Sequence, residues 1–463
     1  MATTTADDTT EDATPRGDRG FVAALDRFYP GALPLAAVLG IGALLATIPF
    51  LDPVTQLELF ATGFFELFTV QMPLILFWVL SAAVVESVWG GRILDRVAGV
   101  LPSNSQATVV YATGFVALLF GWINWALGLV GGVLVGYRLC RHAENDGVRV
   151  HYPAVLTAGL LALVTMNQGP SSPGALLMAD ASGTTNFLVD PEQGRVVLDM
   201  AAFLLHPANL AASALFVVTL PALLVVLAPS EEGERRPVSS SRPVLDGSIA
   251  ETLDHYAPPP REEWAVADRL EQSPIISVVT FLLGAASVVA YFATGGRLTM
   301  LWLLFTLMTL GVLVQGRPMA FVEKTRDATK WVNHVAIPFL LYAGVYALLT
   351  RAELYAPIGN ALAATGVTQA SSYVVAFVLG LLVPDPGSVW VIQGPALVAA
   401  DADLVSSVVS VMYGAGVSNL WLGFLFVGIV APIAGFDWRE YARYAAAITA
   451  YVSVVVIALL VVF

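Results

Sequence analysis

The stretch VALLFGWINWALGLVGG (116–132) is apolar enough to enter a bilayer, yet Asn124 interrupts it at the centre. A second interruption follows in the same half, at LVTMNQGPSSPG (163–174). The pair recurs in the second half as VPDPGSVWVIQGP (383–395) and then MYGAGVSNLWL (412–422). Each apolar run is broken by Gly, Pro, Asn or Ser. Irregular backbone at membrane depth survives only where it is buried in protein or lines a wet cavity. Matching interruptions in two halves are the best sequence pointer to a transport site. The fold class expected is therefore an all-α polytopic membrane protein. It would consist of two inverted-topology repeats, each with a re-entrant hairpin and a broken transmembrane helix.

Composition agrees with this reading. The chain has 463 residues, of which 57% are hydrophobic and only 12% charged. Such a balance belongs to a membrane protein rather than a soluble one. The single cysteine excludes an intrachain disulfide, and Cys140 reads as a small apolar filler. The net charge of −13 and the scarcity of Lys, present only at Lys324 and Lys330, suggest adaptation to high salt and argue against nucleic acid as a partner. Residues 1–20 carry no apolar core of a signal peptide and read as a disordered acidic tail.

A helix crosses ~30 Å of hydrocarbon with ~20 apolar residues. On that measure the first transmembrane repeat occupies residues 21–228, with its hairpin at 107–139 and its broken helix at 152–180. A hydrophilic cytoplasmic linker fills 229–272, rich in Pro, Ser, Glu and Arg. A connecting transmembrane helix, 273–297, inverts the second repeat, 298–463, whose hairpin is 370–400 and whose broken helix is 404–432. Cytoplasmic loops carry the excess of Lys and Arg. With the N-terminus cytoplasmic and both interrupted stretches as hairpins, 19 of the 22 basic residues fall inside and only Arg195, Arg297 and Arg351 outside. The C-terminus is then external. A single crossing at either hairpin would spoil this bias. Two full crossings would preserve it, and the shortness of each arm favours hairpins.

Broken helices present unpaired N–H groups at one end and unpaired C=O groups at the other. Four such elements would supply anion-facing and cation-facing ends in one cavity. No Lys or Arg falls in the middle of an expected crossing, so a small monocarboxylate fits better than a multiply charged anion. The candidate substrate-binding residues are Asn124 and Trp125 at the first tip, and Asn167, Gln168, Ser171 and Ser172 in the first break. Ser388 and Gln393 by the second tip and Ser418 and Asn419 in the second break complete the set. Asp385, Asn124 and Asn419 are the candidates for ion coupling. Each has a plainer alternative: Asn124 could cap a hairpin tip, an intramembrane Asn can be interhelical glue, and Asp385 could hold an Asx-type turn between Pro384 and Pro386. Trp390 beside the second tip reads as hairpin packing or as pocket wall. His206 and His334 read as hydrogen-bonded structure, and Glu86 as reaching water. Gly128, Gly132 and Gly136, four residues apart, read as a close-packed stripe. No phosphate loop, metal-ligand cluster or nucleophile motif appears, so neither an enzyme nor a resident cofactor or metal is expected, although a sodium ion could bind transiently.

At INWALGLVGG (123–132), the TyrPro at 152–153, FLLYAG (339–344), WVIQGP (390–395) and Tyr413–Gly414, the chain resembles the short-chain fatty-acid transporter family of the ion transporter superfamily. The resemblance runs from about residue 21 to the C-terminus and is weakest in the linker. It implies a carrier of acetoacetate- or butyrate-like acids built from inverted repeats with two hairpins. The chain departs from the family at the second tip, where Pro384, Asp385, Pro386, Gly387 and Ser388 replace a Pro-Ser-Gly-Gly-Gly type turn. The first break carries Asn167–Gln168 where the family is Gly-rich, and the second lacks the family's polar and aromatic residues after Gly414. The expectation is a secondary active transporter of small monocarboxylates in the cytoplasmic membrane, coupled to a sodium ion or a proton, with the lipid bilayer as its surroundings. A homo-oligomer is compatible with it. A dicarboxylate or other organic-anion carrier and an anion channel are the competing readings.

Overall fold

The computed structural model describes residues 32–190, 194–240, 256–329, 332–421 and 438–463. The expected tail at 1–20 and the far half of the second broken helix, 422–432, lie outside the described residues. The chain is helical throughout the described part, apart from a two-stranded antiparallel ribbon, Val189–Asp190 with Gly194–Arg195.

Among the described residues, six helices are long and apolar enough to cross a membrane: Phe68–Val85, Gln106–Ile123, Pro207–Leu227, Pro274–Ala293, Leu404–Trp421 and Tyr441–Val462. Two further pairs qualify jointly but are sharply bent. Met300–Gln315 meets Pro318–Ala328 at 119°, and Ala336–Arg351 meets Tyr355–Ala363 at 84°. The first bend has a local cause. Gly316 adopts φ 74°, a left-handed conformation suited to glycine, and Pro318 then starts the next helix.

Burial sorts these helices into shells. The central Leu404–Trp421 is 78% buried, whereas Pro274–Ala293 is 11% buried and turns Ile275, Leu282, Leu283 and Val289 outward. Exposed apolar faces of this kind are what a lipid-facing helix requires. The sequence reading had no helices at Pro53–Glu66 or Val88–Val100. Both are short, polar-capped elements, started by Asp52 and Ser87.

Two helix–turn–helix hairpins frame the centre. In the first, Gln106–Ile123 and Trp125–Asn145 are separated only by Asn124. Glycines set their spacing: an added Cβ on Gly128 would lie 2.4 Å from Gly121, one on Gly132 2.7 Å from Ala117, and one on Gly136 2.7 Å from Thr113. These pairings descend as they ascend, so the arms are antiparallel and nearly touching. The small-residue stripe therefore packs the hairpin as its spacing implied. In the second hairpin, Thr368–Leu382 and Pro386–Ala399, the arms stand further apart and are bridged by Gln393, whose amide donates to Ser372 O at 2.9 Å and Ser372 Oγ at 2.8 Å. Its first arm lies along Leu404–Ser418 in the same direction. Gln369 bonds Ser407, Ser372 bonds Ser410, and Gly380 abuts Ser418.

The halves interlock. Met300–Gln315 packs on Phe68–Val85, where Gln315 donates to Ala83 O at 2.7 Å. Ala32–Thr47 and Pro53–Glu66 pack on Asn333–Arg351. The described part of the linker is docked: Tyr152 N donates to Arg236 O at 2.8 Å, and Arg236 N donates to His151 Nδ1 at 3.2 Å.

Candidate functional site

Asn124 is a cap for both arms of its hairpin. Its backbone N–H donates to Phe120 O, closing the first arm. Its Oδ1 accepts from Ala126 N at 2.9 Å and Leu127 N at 3.3 Å, opening the second. Its Nδ2 donates to Ser81 Oγ at 3.0 Å. The plain reading thus accounts for this side chain. Asp385 plays the matching part at the second tip: its Oδ2 accepts from Ser388 N at 2.7 Å and Ser388 Oγ at 2.9 Å. The indole N–H of Trp78 is a third donor to the same carboxylate. Ser388 is therefore committed to this turn. Ser418 donates back to Ala415 O at 2.7 Å, an intrahelical bond.

The other candidates behave differently. Among the described residues, Asn167 Nδ2, both amide atoms of Gln168, and the hydroxyls of Ser171 and Ser172 are buried without a hydrogen-bond partner. So are Trp125 Nε1, Trp390 Nε1, Gln393 Oε1 and both amide atoms of Asn419. A buried polar group left unpaired costs roughly 1–3 kcal/mol, and native proteins tolerate few. Of the seventeen such atoms among the described residues, ten lie in the four interrupted stretches, and the rest are scattered, as at Tyr152, Ser277 and Tyr355. Glycine lets the breaks approach. A Cβ on Gly169 would lie 1.7 Å from the Trp122 carbonyl oxygen, so the first break lies directly against the end of the first hairpin arm.

Four of the predicted residues come together. Trp125, Asn167, Ser171 and Asp385 line one small cavity of about 10 Å³ with Phe77, Trp78, Met166, Pro173 and Pro386. Trp78 and Trp125 are in ring contact, centroids 4.1 Å apart. The first tip, the first break and the second tip thus meet at one point. Asn124, Gln168, Ser172, Ser388, Gln393, Ser418 and Asn419 do not line that cavity. A larger cavity of about 600 Å³, lined among others by Tyr256, Arg317, Lys324 and Asp327, is polar and contains none of the interrupted segments.

Sequence reading missed a second group of residues. Asn209 Nδ2 donates to the Gln168 carbonyl at 3.0 Å and to Phe203 O at 3.1 Å. Tyr413 Oη reaches Asn209 Oδ1 at 3.4 Å and Ser213 Oγ at 3.2 Å. A lone Asn in an apolar crossing was the available signal. Trp78 gave none, because an aromatic ring in an apolar helix is unexceptional. His206 bonds Ser406 Oγ through Nε2 at 3.1 Å, as a structural histidine would, and the side chain of His334 lies outside the described residues. Glu86 does not simply reach water: it pairs with the buried Lys324 at 3.2 Å, because Pro318–Ala328 folds back over its end. Among the described residues no three His, Cys, Asp or Glu side chains gather as a metal site.

A helical chain with apolar outer faces and a polar, interrupted centre is a multi-pass membrane protein of the transport class. The chain belongs to the short chain fatty acid transporter family, whose sequence model matches residues 16–463. It is 23% identical over 414 residues to a Haemophilus influenzae protein named "Putative short-chain fatty acid transporter", covering 86% of this chain and 89% of that one. An Escherichia coli protein of the same name is 24% identical over 408 residues, with 85% and 86% covered. The fold is similar to that of the Alcanivorax borkumensis YdaH transporter, with a TM-score of 0.59 at 13% identity, over 94% of this chain and 98% of that one.

Proposed function

We propose that this chain is a secondary active transporter that moves short-chain fatty acids or similar small monocarboxylates across the cytoplasmic membrane, coupled to a cation. The observation that carries this reading is the set of unpartnered buried polar atoms on Asn167, Gln168, Ser171, Ser172 and Asn419. They offer donors to a carboxylate without any buried Lys or Arg beside them. Apolar walls from Phe77, Trp78, Trp125 and Met166 suit a short acyl tail. The cavity between the tips admits about one water, so a fatty acid enters only when the tips part.

The architecture we infer is a pair of inverted repeats with re-entrant hairpins. Among the described residues each half holds two helix–short-helix pairs, a hairpin, a buried helix that follows it and a long final helix, in the same order. The interlock is reciprocal, since the first pair of each half packs on the second pair of the other. The bias of 19 in 22 basic residues supports a cytoplasmic N-terminus and linker and an external C-terminus.

The experiment is uptake into proteoliposomes of a radiolabelled acid panel: acetate, butyrate, acetoacetate, succinate. Saturable butyrate or acetoacetate uptake supports the reading. Preference for succinate would favour the dicarboxylate alternative, and non-saturable flux would favour a channel.

A further inference from the structure

Pro207–Leu227 and Leu404–Ser418 come from different halves, and one buried chain of hydrogen bonds joins them to the first break. Its middle member is Asn209, 1% exposed. The Asn209 amide spends both hydrogens on backbone carbonyls, Gln168 O at 3.0 Å and Phe203 O at 3.1 Å. Its Oδ1 and its backbone oxygen each lie 3.4 Å from the Tyr413 hydroxyl. Neither oxygen carries a proton, so Tyr413 is the donor, its one hydrogen shared between two acceptors. The hydroxyl oxygen then accepts from Ser213 Oγ at 3.2 Å. Donation therefore runs one way, from Ser213 to Tyr413 to Asn209 to the carbonyl of Gln168.

The residue held at the end of this chain has a side chain with no support of its own. Both amide atoms of Gln168 are buried without a hydrogen-bond partner. Its backbone, in contrast, is pinned twice: the N–H donates to Thr165 O at 3.0 Å, and the carbonyl accepts from Asn209. The Gln168 side chain thus takes its placement from a backbone that Asn209 fixes. The helix carrying Tyr413 meets the break a second time one turn on, where Gly416 faces the Asn167 amide. Residues three apart share a helix face, so one face of the second interrupted helix bears on both Asn167 and Gln168.

We infer that Tyr413 and Asn209 are positioning residues, through which the second half holds the Gln168 amide where a substrate carboxylate accepts from it. The inference rests on the transporter reading, which counts Gln168 among the donors to the carboxylate. It adds two residues that act through Gln168 and need touch no substrate. A binding group held by such a supporting shell keeps its orientation before the ligand arrives.

The test is butyrate-for-butyrate exchange in proteoliposomes across a range of butyrate concentrations. Tyr413→Phe removes one oxygen and keeps the ring edge-on to Phe216, centroids 6.2 Å apart. It should raise half-saturating butyrate roughly tenfold and leave the maximal exchange rate within about twofold of wild type. Ser213→Ala, which leaves every bond to Asn209 in place, should shift half-saturation less and serves where Tyr413→Phe yields little folded protein. The same change is then made in Gln168→Ala. There Tyr413→Phe should add less than about twofold, because the group it positions is gone. Where Gln168→Ala exchanges too slowly to follow, the butyrate concentration that raises its unfolding temperature gives the same comparison. Unchanged half-saturation in Tyr413→Phe, or an equal shift with and without Gln168, would make the chain interhelical glue and overturn the inference. Wild type without saturable exchange would instead fail the transporter reading.

Discussion

The Asn167 amide nitrogen lies 3.1 Å from the position a Cβ on Gly416 would occupy, so the first break and the second interrupted helix are separated by no more than a missing methyl group. Gly416→Ala should therefore press on Asn167 without touching a backbone atom more closely than the Leu163 carbonyl at 3.4 Å. We predict normal expression and a loss of butyrate uptake between about 10- and 100-fold, the scale of a misplaced binding group. Wild-type uptake would detach Asn167 from the site.

The two groups of candidate residues should separate on mutation. Asn167→Ala removes an Nδ2, and Asn419→Ala two amide atoms, that have no hydrogen-bond partner among the described residues, and both should abolish most transport at near-normal yield. Asn124→Ala removes a double cap and should instead lower thermal stability by ~1 kcal/mol, with Asn124→Ser restoring much of it. Thermal unfolding in detergent alongside uptake decides this. Stability losses in all three would make the breaks structural.

The first hairpin depends on glycine. At Gly128 a Cβ would meet Gly121 backbone atoms at 2.4 and 2.5 Å, with no flexible side-chain tip to yield. Gly128→Val should cost roughly 1–3 kcal/mol through overpacking, seen as aggregation on gel filtration. Gly99→Val, where nothing lies within 4 Å of the added carbon, is the control.

A pH effect is expected where residues 235–240 dock beside His151. Burial, helped by the charges of Arg443, Arg236 and Arg235, holds the His151 imidazole down at about 4 from its ordinary 6.5. Its neutral Nδ1 accepts the Arg236 N–H that docks the linker. A histidine lowered in the folded state contributes stability that is complete above the unfolded value near 6.5 and fades as pH falls toward 4. Limited proteolysis of the linker should accelerate between pH 7 and 5, and His151→Phe should cleave fast at both. Equal cleavage of wild type at the two pH values would contradict the assignment.

Much of the fold was legible because its cues are local. Asn124 between two apolar arms and the glycine spacing 128, 132, 136 each act within a few residues, whereas the bend at Gly316–Arg317–Pro318 was not read from the sequence. Short interfacial helices such as Val88–Val100 escaped, since their length is set by what they pack on. The sequence singled out Asn167, Ser171, Trp125 and Asp385 one by one as candidates. It could not bring them to a single cavity, nor show that Asn124 and Ser388 spend their hydrogen bonds on capping. Asn209 and Tyr413 escaped because their role depends on a contact between residues 204 positions apart.

The central claim is that the polar atoms of the two breaks form a carrier site for a short monocarboxylate. Counterflow tests it most directly: proteoliposomes loaded with excess unlabelled butyrate are diluted into trace labelled butyrate without any ion gradient. The account predicts a transient overshoot of label inside with wild type, and none with Asn167→Ala or Asn419→Ala. A monotonic rise without overshoot in wild type, or an undiminished overshoot in both variants, would contradict it.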